Sequence, residues 1–107
     1  MVDTTVIKSV KEYLNTVKKN GIPISFGVIY GSQVHGNTNK WSDIDLLVIS
    51  SRFDKSVKRD DVSLLWRLCV KTDSRIEPIA VGEDAWREDD SNPLIEIARR
   101  EGEIVYI

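Results

Sequence analysis

Two short stretches of this chain carry residue types that do chemistry. They are Gly31-Ser32 and, ten residues later, Asp43-Ile44-Asp45, which runs into Leu46-Leu47-Val48-Ile49. A β-strand points successive side chains to opposite faces, so Asp43 and Asp45 share one. Two strand steps rise roughly 6.6 Å, a span that flexible carboxylates can close around two divalent ions about 3.5–4 Å apart, as two-metal phosphoryl-transfer sites require. Without cations, two carboxylates opening an apolar strand are costly. The rival reading makes Ser42 and Asp43 turn residues, with Asp43 capping local backbone N–H groups. That accounts for Asp43 and leaves Asp45 unexplained.

The elements that must position these residues can be read around them. Upstream, residues 24–30 alternate as a strand, with Ile24, Phe26, Val28 and Tyr30 on one face and Ser25 and Gly27 on the other. Gly31-Ser32 sits at its exit, where a glycine allows close backbone approach to a phosphate and a following helical turn aims free N–H groups at an anion. The segment is not a Walker loop, because Asn37 stands where the lysine is needed after Gly36, although Thr38 fits the following position. Nor is it a Rossmann fingerprint. In the second strand Ile44, Leu46 and Val48 share one face, while Leu47 and Ile49 continue the Asp45 face. A strand apolar on both sides is expected at the centre of a sheet.

The spacer from Gly31 to Asp43 is too short for a helical crossover, so the two strands should be antiparallel, with the exit of one beside the start of the next. An amphipathic helix is expected over 58–72, with Val62, Leu65, Trp66, Cys69 and Val70 on its inner side. It leads into a third strand, 75–81. Strand, helix and strand form a βαβ unit, which makes the second and third strands parallel.

The Gly-Ser turn, short spacer and Asp-x-Asp strand together resemble the polymerase-β-like nucleotidyltransferases, and the chain is most similar to their minimal, single-domain type. The resemblance runs through most of the chain. It implies an α/β fold (α+β), a mixed sheet of about four to five strands flanked by helices. It implies that Gly31 and Ser32 hold the triphosphate of ATP or another nucleoside triphosphate, and that Asp43 and Asp45 hold two Mg²⁺ ions. A third catalytic and metal-binding carboxylate is usual on the next core strand. Here it falls on Glu77, which shares a face with Ile79 and Val81 and which parallel pairing brings to the sheet end of Asp43 and Asp45. An ordinary edge-strand charge is the rival reading, since Pro78 cannot donate a ladder hydrogen bond and edges commonly carry charges.

Minimal nucleotidyltransferases are often the antitoxin half of a pair with an all-helical HEPN-type toxin. The resemblance therefore implies adenylylation of a hydroxyl on such a partner protein. A chain of this length leaves no room for an acceptor-recognition domain, which points the same way. A non-catalytic module that masks its partner, transfer to a small molecule, and a nucleotide sensor are the alternatives.

The flanks read as structural. Asp3 caps a helix expected over 4–19, with Val6, Val10, Leu14 and Val17 inward and Asn20-Gly21 as its stop. Asn92-Pro93 starts another, with Leu94, Ile97 and Ala98 inward, ending at Gly102 before a last strand, 103–107. With 107 residues, 41% hydrophobic and 30% charged, the composition fits one cytosolic domain, 1–107, with a modest core. The single cysteine allows no intrachain disulfide, and Cys69 reads as buried and inert. No signal peptide or membrane span is apparent.

A formal net charge of −2 argues against a dedicated nucleic-acid surface. Lys55, Lys58 and Arg59 read as a solvated loop and helix start. His35, the lone histidine, reads as a solvated loop residue, and a zinc-type site would want more ligands. Trp41 reads as a loop aromatic covering the sheet end. Arg52 and Arg67 read as surface arginines. Oligomeric state is left open.

Overall fold

A computed structural model of the chain describes residues 2–36, 38–39 and 41–107. Helix α1 (Thr4–Lys19) starts where the Asp3 carboxylate accepts from the Thr5 N–H at 2.8 Å, and it ends at Asn20. Gly21 then reverses the chain at φ +101°. Its inner stripe is Val6, Val10, Tyr13, Leu14 and Val17.

Strand β1 (Phe26–Tyr30) follows, then a one-turn helix α2 (Ser32–His35) and strand β2 (Ile44–Ile49). A 3-10 turn at Ser51–Phe53 leads to helix α3 (Arg59–Thr72), strand β3 (Ile76–Val81), helices α4 (Glu83–Glu88) and α5 (Pro93–Glu101), and strand β4 (Glu103–Val105).

The sheet order is β3-β2-β1-β4. As the connections dictate, β1 and β2 are antiparallel and β2 and β3 parallel, while β4 runs antiparallel to β1. Among the described residues the sheet is the mixed one expected, four strands with helices on both faces. Pro78 lies on β3, an edge strand, where its missing N–H costs no ladder bond.

Two apolar layers sandwich the sheet, and β2 supplies both, which explains its uninterrupted apolar run. One layer packs α1 and α3 against Ile29, Ile44, Leu46, Val48 and Ile76. It is pinned by the buried Tyr13 hydroxyl, which donates to the Leu65 carbonyl at 2.8 Å. The other packs Ile95 and Ala98 of α5 against Val28, Tyr30, Leu47, Ile49 and Val81, with Trp86 of α4 at its margin. Cys69 is buried, as expected.

The elements depart from the sequence reading in definite places. On α3 the buried stripe is Asp61, Leu65, Leu68 and Cys69, an i, i+4, i+7, i+8 line. Trp66 and Val70, expected inward, are 46% and 78% exposed. The reason is the polar Asp61, which lies inside because the Arg52 guanidinium grips it with two bonds, Nε at 2.8 Å and Nη2 at 3.0 Å. Ile97 of α5, also expected inward, is 39% exposed, and Ile95 is buried instead.

Strand β1 begins at Phe26 rather than Ile24. The Ser25 N–H still reaches the Ile49 carbonyl at 2.9 Å, but the Ser25 hydroxyl turns away to the Glu83 carboxylate at 2.5 Å. Strand β4 ends at Val105, because its pairing spans only Gly27 to Ile29 of β1.

Candidate active site

Pairing register builds the site. The β1–β2 ladder sets Tyr30 opposite Asp45, and the β2–β3 ladder sets Asp45 opposite Glu77. Tyr30, Asp45 and Glu77 thus form one row across three strands, on the sheet face that carries Val28, Leu47 and Ile49 toward α5. Asp43 stands one residue before β2. The Ile44 N–H donates to the Arg75 carbonyl at 2.8 Å, so the pairing with the β3 side already holds at that point. Asp45 is half-buried, while Asp43 and Glu77 are exposed.

The glycine turn meets this row directly. Gly31 has φ +75°, and a Cβ built there would lie 2.5 Å from the Asp45 Oδ2. Only a glycine allows both that backbone and that approach. Ser32 is exposed and opens α2, whose first N–H groups have no intrahelical partners. Of the expected approach of the Gly31-Ser32 turn to Asp43 and Asp45, the geometry shows Gly31 against Asp45.

Charge crowds along the row. The Glu77 carboxyl is held above the ordinary glutamate range, first by partial desolvation and then by the Asp43 and Asp45 charges, with Asp45 accepting its proton's hydrogen bond. Tyr30 is pushed up to about 12 by burial, then by Asp45 and Glu77. The Glu77 carboxyl thus feels both aspartates. Yet among the described residues no three His, Cys, Asp or Glu side chains already enclose a point as a metal cage. Such an open set suits Mg²⁺, which keeps waters and is bound through one or two carboxylates together with substrate phosphates. Asp43, Asp45 and Glu77 fit that role by donor type and placement.

Two residues at the site escaped the sequence reading as site residues. Tyr30 was placed on the correct face by alternation, but nothing in its type marked it as a neighbour of the carboxylates. Gln33 is buried at 4% exposure, and its Nε2 donates to the carbonyls of Asp43 at 3.0 Å and Ser42 at 3.3 Å. A polar residue in a glycine-rich loop gives no periodic signal, so its burial was invisible.

Other residues fall outside the row. Trp41, expected to cover the sheet end, is 76% exposed. His35 closes α2 with its Nε2 3.5 Å from the Glu101 carboxylate. Arg52 is committed to Asp61. It lines, with Lys55 and Lys58, a cleft of about 590 Å³. That cleft follows the C-terminal end of β2, opposite the carboxylate end, and so is separate from this chemistry.

Residues 10–101 match the family model described as a nucleotidyltransferase domain. No curated protein matches the chain. Among solved structures, a protein of Sulfolobus solfataricus described as a nucleotidyltransferase superposes with a TM-score of 0.62 at 16% identity, covering 92% of this chain and 77% of its own. A toxin–antitoxin structure solved with AMP-PNP superposes with a TM-score of 0.62 at 18% identity, covering 89% of this chain and 71% of that one. At those identities the two structures speak to the fold, and they agree on it. With most of its length matched by the family and the glycine turn set against an aspartate strand, the chain belongs to the nucleotidyltransferase domain family.

Proposed function

We propose that this protein is a Mg²⁺-dependent nucleotidyltransferase that moves a nucleoside monophosphate, AMP from ATP, onto a hydroxyl of a partner protein, as the antitoxin of a HEPN-type helical toxin. One observation carries the reading most. The Gly31 backbone lies against the Asp45 carboxylate, in register with Glu77, so a triphosphate on the turn would have its phosphates beside the carboxylates.

In this reading Gly31 and Ser32 bind the triphosphate, Asp43 and Asp45 hold the metal, and Glu77 completes the metal site or accepts the proton of the attacking hydroxyl. Bound Mg²⁺ supplies Lewis-acid activation of that hydroxyl and neutralises charge on the pyrophosphate. The acceptor oxygen forms a bond to the α-phosphorus, and the bond from that phosphorus to the bridging pyrophosphate oxygen breaks.

A macromolecular acceptor is favoured by the openness of the carboxylate end, where Asp43, Trp41 and Ser32 are all exposed. A toxin as that acceptor is favoured by the structural likeness to a toxin–antitoxin protein solved with an ATP analogue.

The test is the intact mass of the protein encoded by the adjacent gene after incubation with this chain, ATP and Mg²⁺. Whole nucleotide additions with the wild type, and none with the Asp43→Asn/Asp45→Asn double variant, are expected. An unchanged mass with a tight complex formed by both proteins would replace catalysis with masking.

A further inference from the structure

Among the described residues, the Gln33 side chain links the glycine turn to the segment just before β2. Asp45 and Glu77 sit inside the β-ladder, which fixes their backbones, but Asp43 lies before β2 begins. Ser32 belongs to α2, a helix of four residues, far shorter than the roughly 12–15 that stand alone in water. What aligns Asp43 with the turn must therefore come from elsewhere.

Gln33 directly follows Ser32, and its amide donates to the carbonyls of both Ser42 and Asp43. Both partners are acceptors, so the group facing them has to be the NH₂ end, which has two protons to give. Those carbonyls belong to the two peptide units on either side of the Asp43 Cα. Fixing both peptide planes fixes φ and ψ of Asp43, and with them the direction of its Cα–Cβ bond. Buried at 4% exposure, Gln33 has little access to water as a competing partner.

We infer that Gln33 is a positioning residue, one amide that locks the phosphate turn to the aim of the Asp43 carboxylate. The inference rests on the nucleotidyltransferase reading above. It requires no contact between Gln33 and nucleotide or metal. Loss of the amide would free the Ser42–Asp43 peptide and leave the Asp43–Ile44 peptide held only through its N–H on the Arg75 carbonyl, with Asp45, Glu77 and the sheet in place.

The experiment is a double-mutant cycle read by calorimetric titration with Mn²⁺ and ATP, without any acceptor. Gln33→Met keeps the length of the side chain and removes both bonds, and its fold is checked by its melting temperature. The expected result is a loss of Mn²⁺-ATP affinity of about tenfold or more, against a much smaller loss when Gln33→Met is added to Asp43→Asn. Non-additivity of that size marks residues acting through one another. A purely structural residue would weaken both backgrounds equally, and that result, or wild-type affinity in folded Gln33→Met, overturns the inference. Should Gln33→Met fail to fold, Gln33→Asn, which withdraws the amide by one methylene, enters the same cycle under the same criteria. Absence of Mn²⁺-ATP binding by the wild type would overturn the nucleotidyltransferase reading itself, and this inference with it.

Discussion

At the scale of single residues, two glycines of the same loop separate the roles of backbone and contact. Gly31 and Gly36 both have positive φ, +75° and +78°, so alanine at either is strained. Such strain is on the order of 1–3 kcal/mol. At Gly31 the new Cβ would also lie 2.5 Å from the Asp45 Oδ2, whereas at Gly36 it meets nothing within 4 Å. Gly31→Ala should therefore weaken Mg²⁺-ATP binding about tenfold or more by displacing the Asp45 carboxylate, and Gly36→Ala should leave it near wild type. Titration of both folded variants checks this, and equal affinities would show that the turn does not bear on the carboxylate. Much at this scale was legible in the sequence, because Gly31, Ser32, Asp43 and Asp45 have types that few structural roles require together. Gln33 was not legible, since its amide bonds two carbonyls nine and ten residues away, and backbone carbonyls carry no sequence signature.

At the scale of elements, pattern and connection length were good guides to topology and poorer guides to rotation. The two-sided apolar run of β2 marked a central strand, and the spacer lengths fixed the antiparallel and parallel pairings. The inward face of α3 was misjudged because an aspartate occupies a core position that hydrophobic periodicity assigns to an apolar residue. Asp61 is buried with Arg52 bound through two nitrogens, and so ties the 3-10 turn after β2 to the first turn of α3. Removing its charge with Asp61→Asn should cost about 1.5–3 kcal/mol, the range for hydrogen bonds to charged groups. The Arg87–Asp84 pair of α4 is the contrast, with both side chains 62% exposed. Breaking it should change stability by less than about 1 kcal/mol. Urea unfolding of Asp61→Asn and Asp84→Asn measures both, and similar losses would mean that burial of Asp61 does not matter.

At the scale of the molecule, the crowding of carboxylates at one sheet end couples folding to pH and, under the proposed function, to metal. Glu77 has a raised pKa in the folded protein, so between its unfolded and folded values the native state holds a proton that the unfolded chain has released. Stability then falls as pH rises through that window, just above the ordinary glutamate range, and the penalty is complete above the folded pKa. Asp73, lowered by its hydrogen bond and ion pair with Arg75, works in the opposite sense: it contributes stability at pH values above its unfolded pKa and loses it as pH falls. The two overlap, so the net pH profile of the wild type alone does not isolate Glu77. The difference between wild type and Glu77→Gln does. In EDTA, the wild type should lose stability relative to Glu77→Gln as pH rises from about 4 to 7, the range around and above the reference carboxylate values. Under the proposed function, Mg²⁺ should raise the melting temperature of the wild type more as pH rises and the carboxylates lose their protons. Melting curves of both proteins with and without Mg²⁺ make the comparison. Parallel pH profiles in EDTA would show that Glu77 does not share the field of Asp43 and Asp45, and would remove it from the proposed metal site.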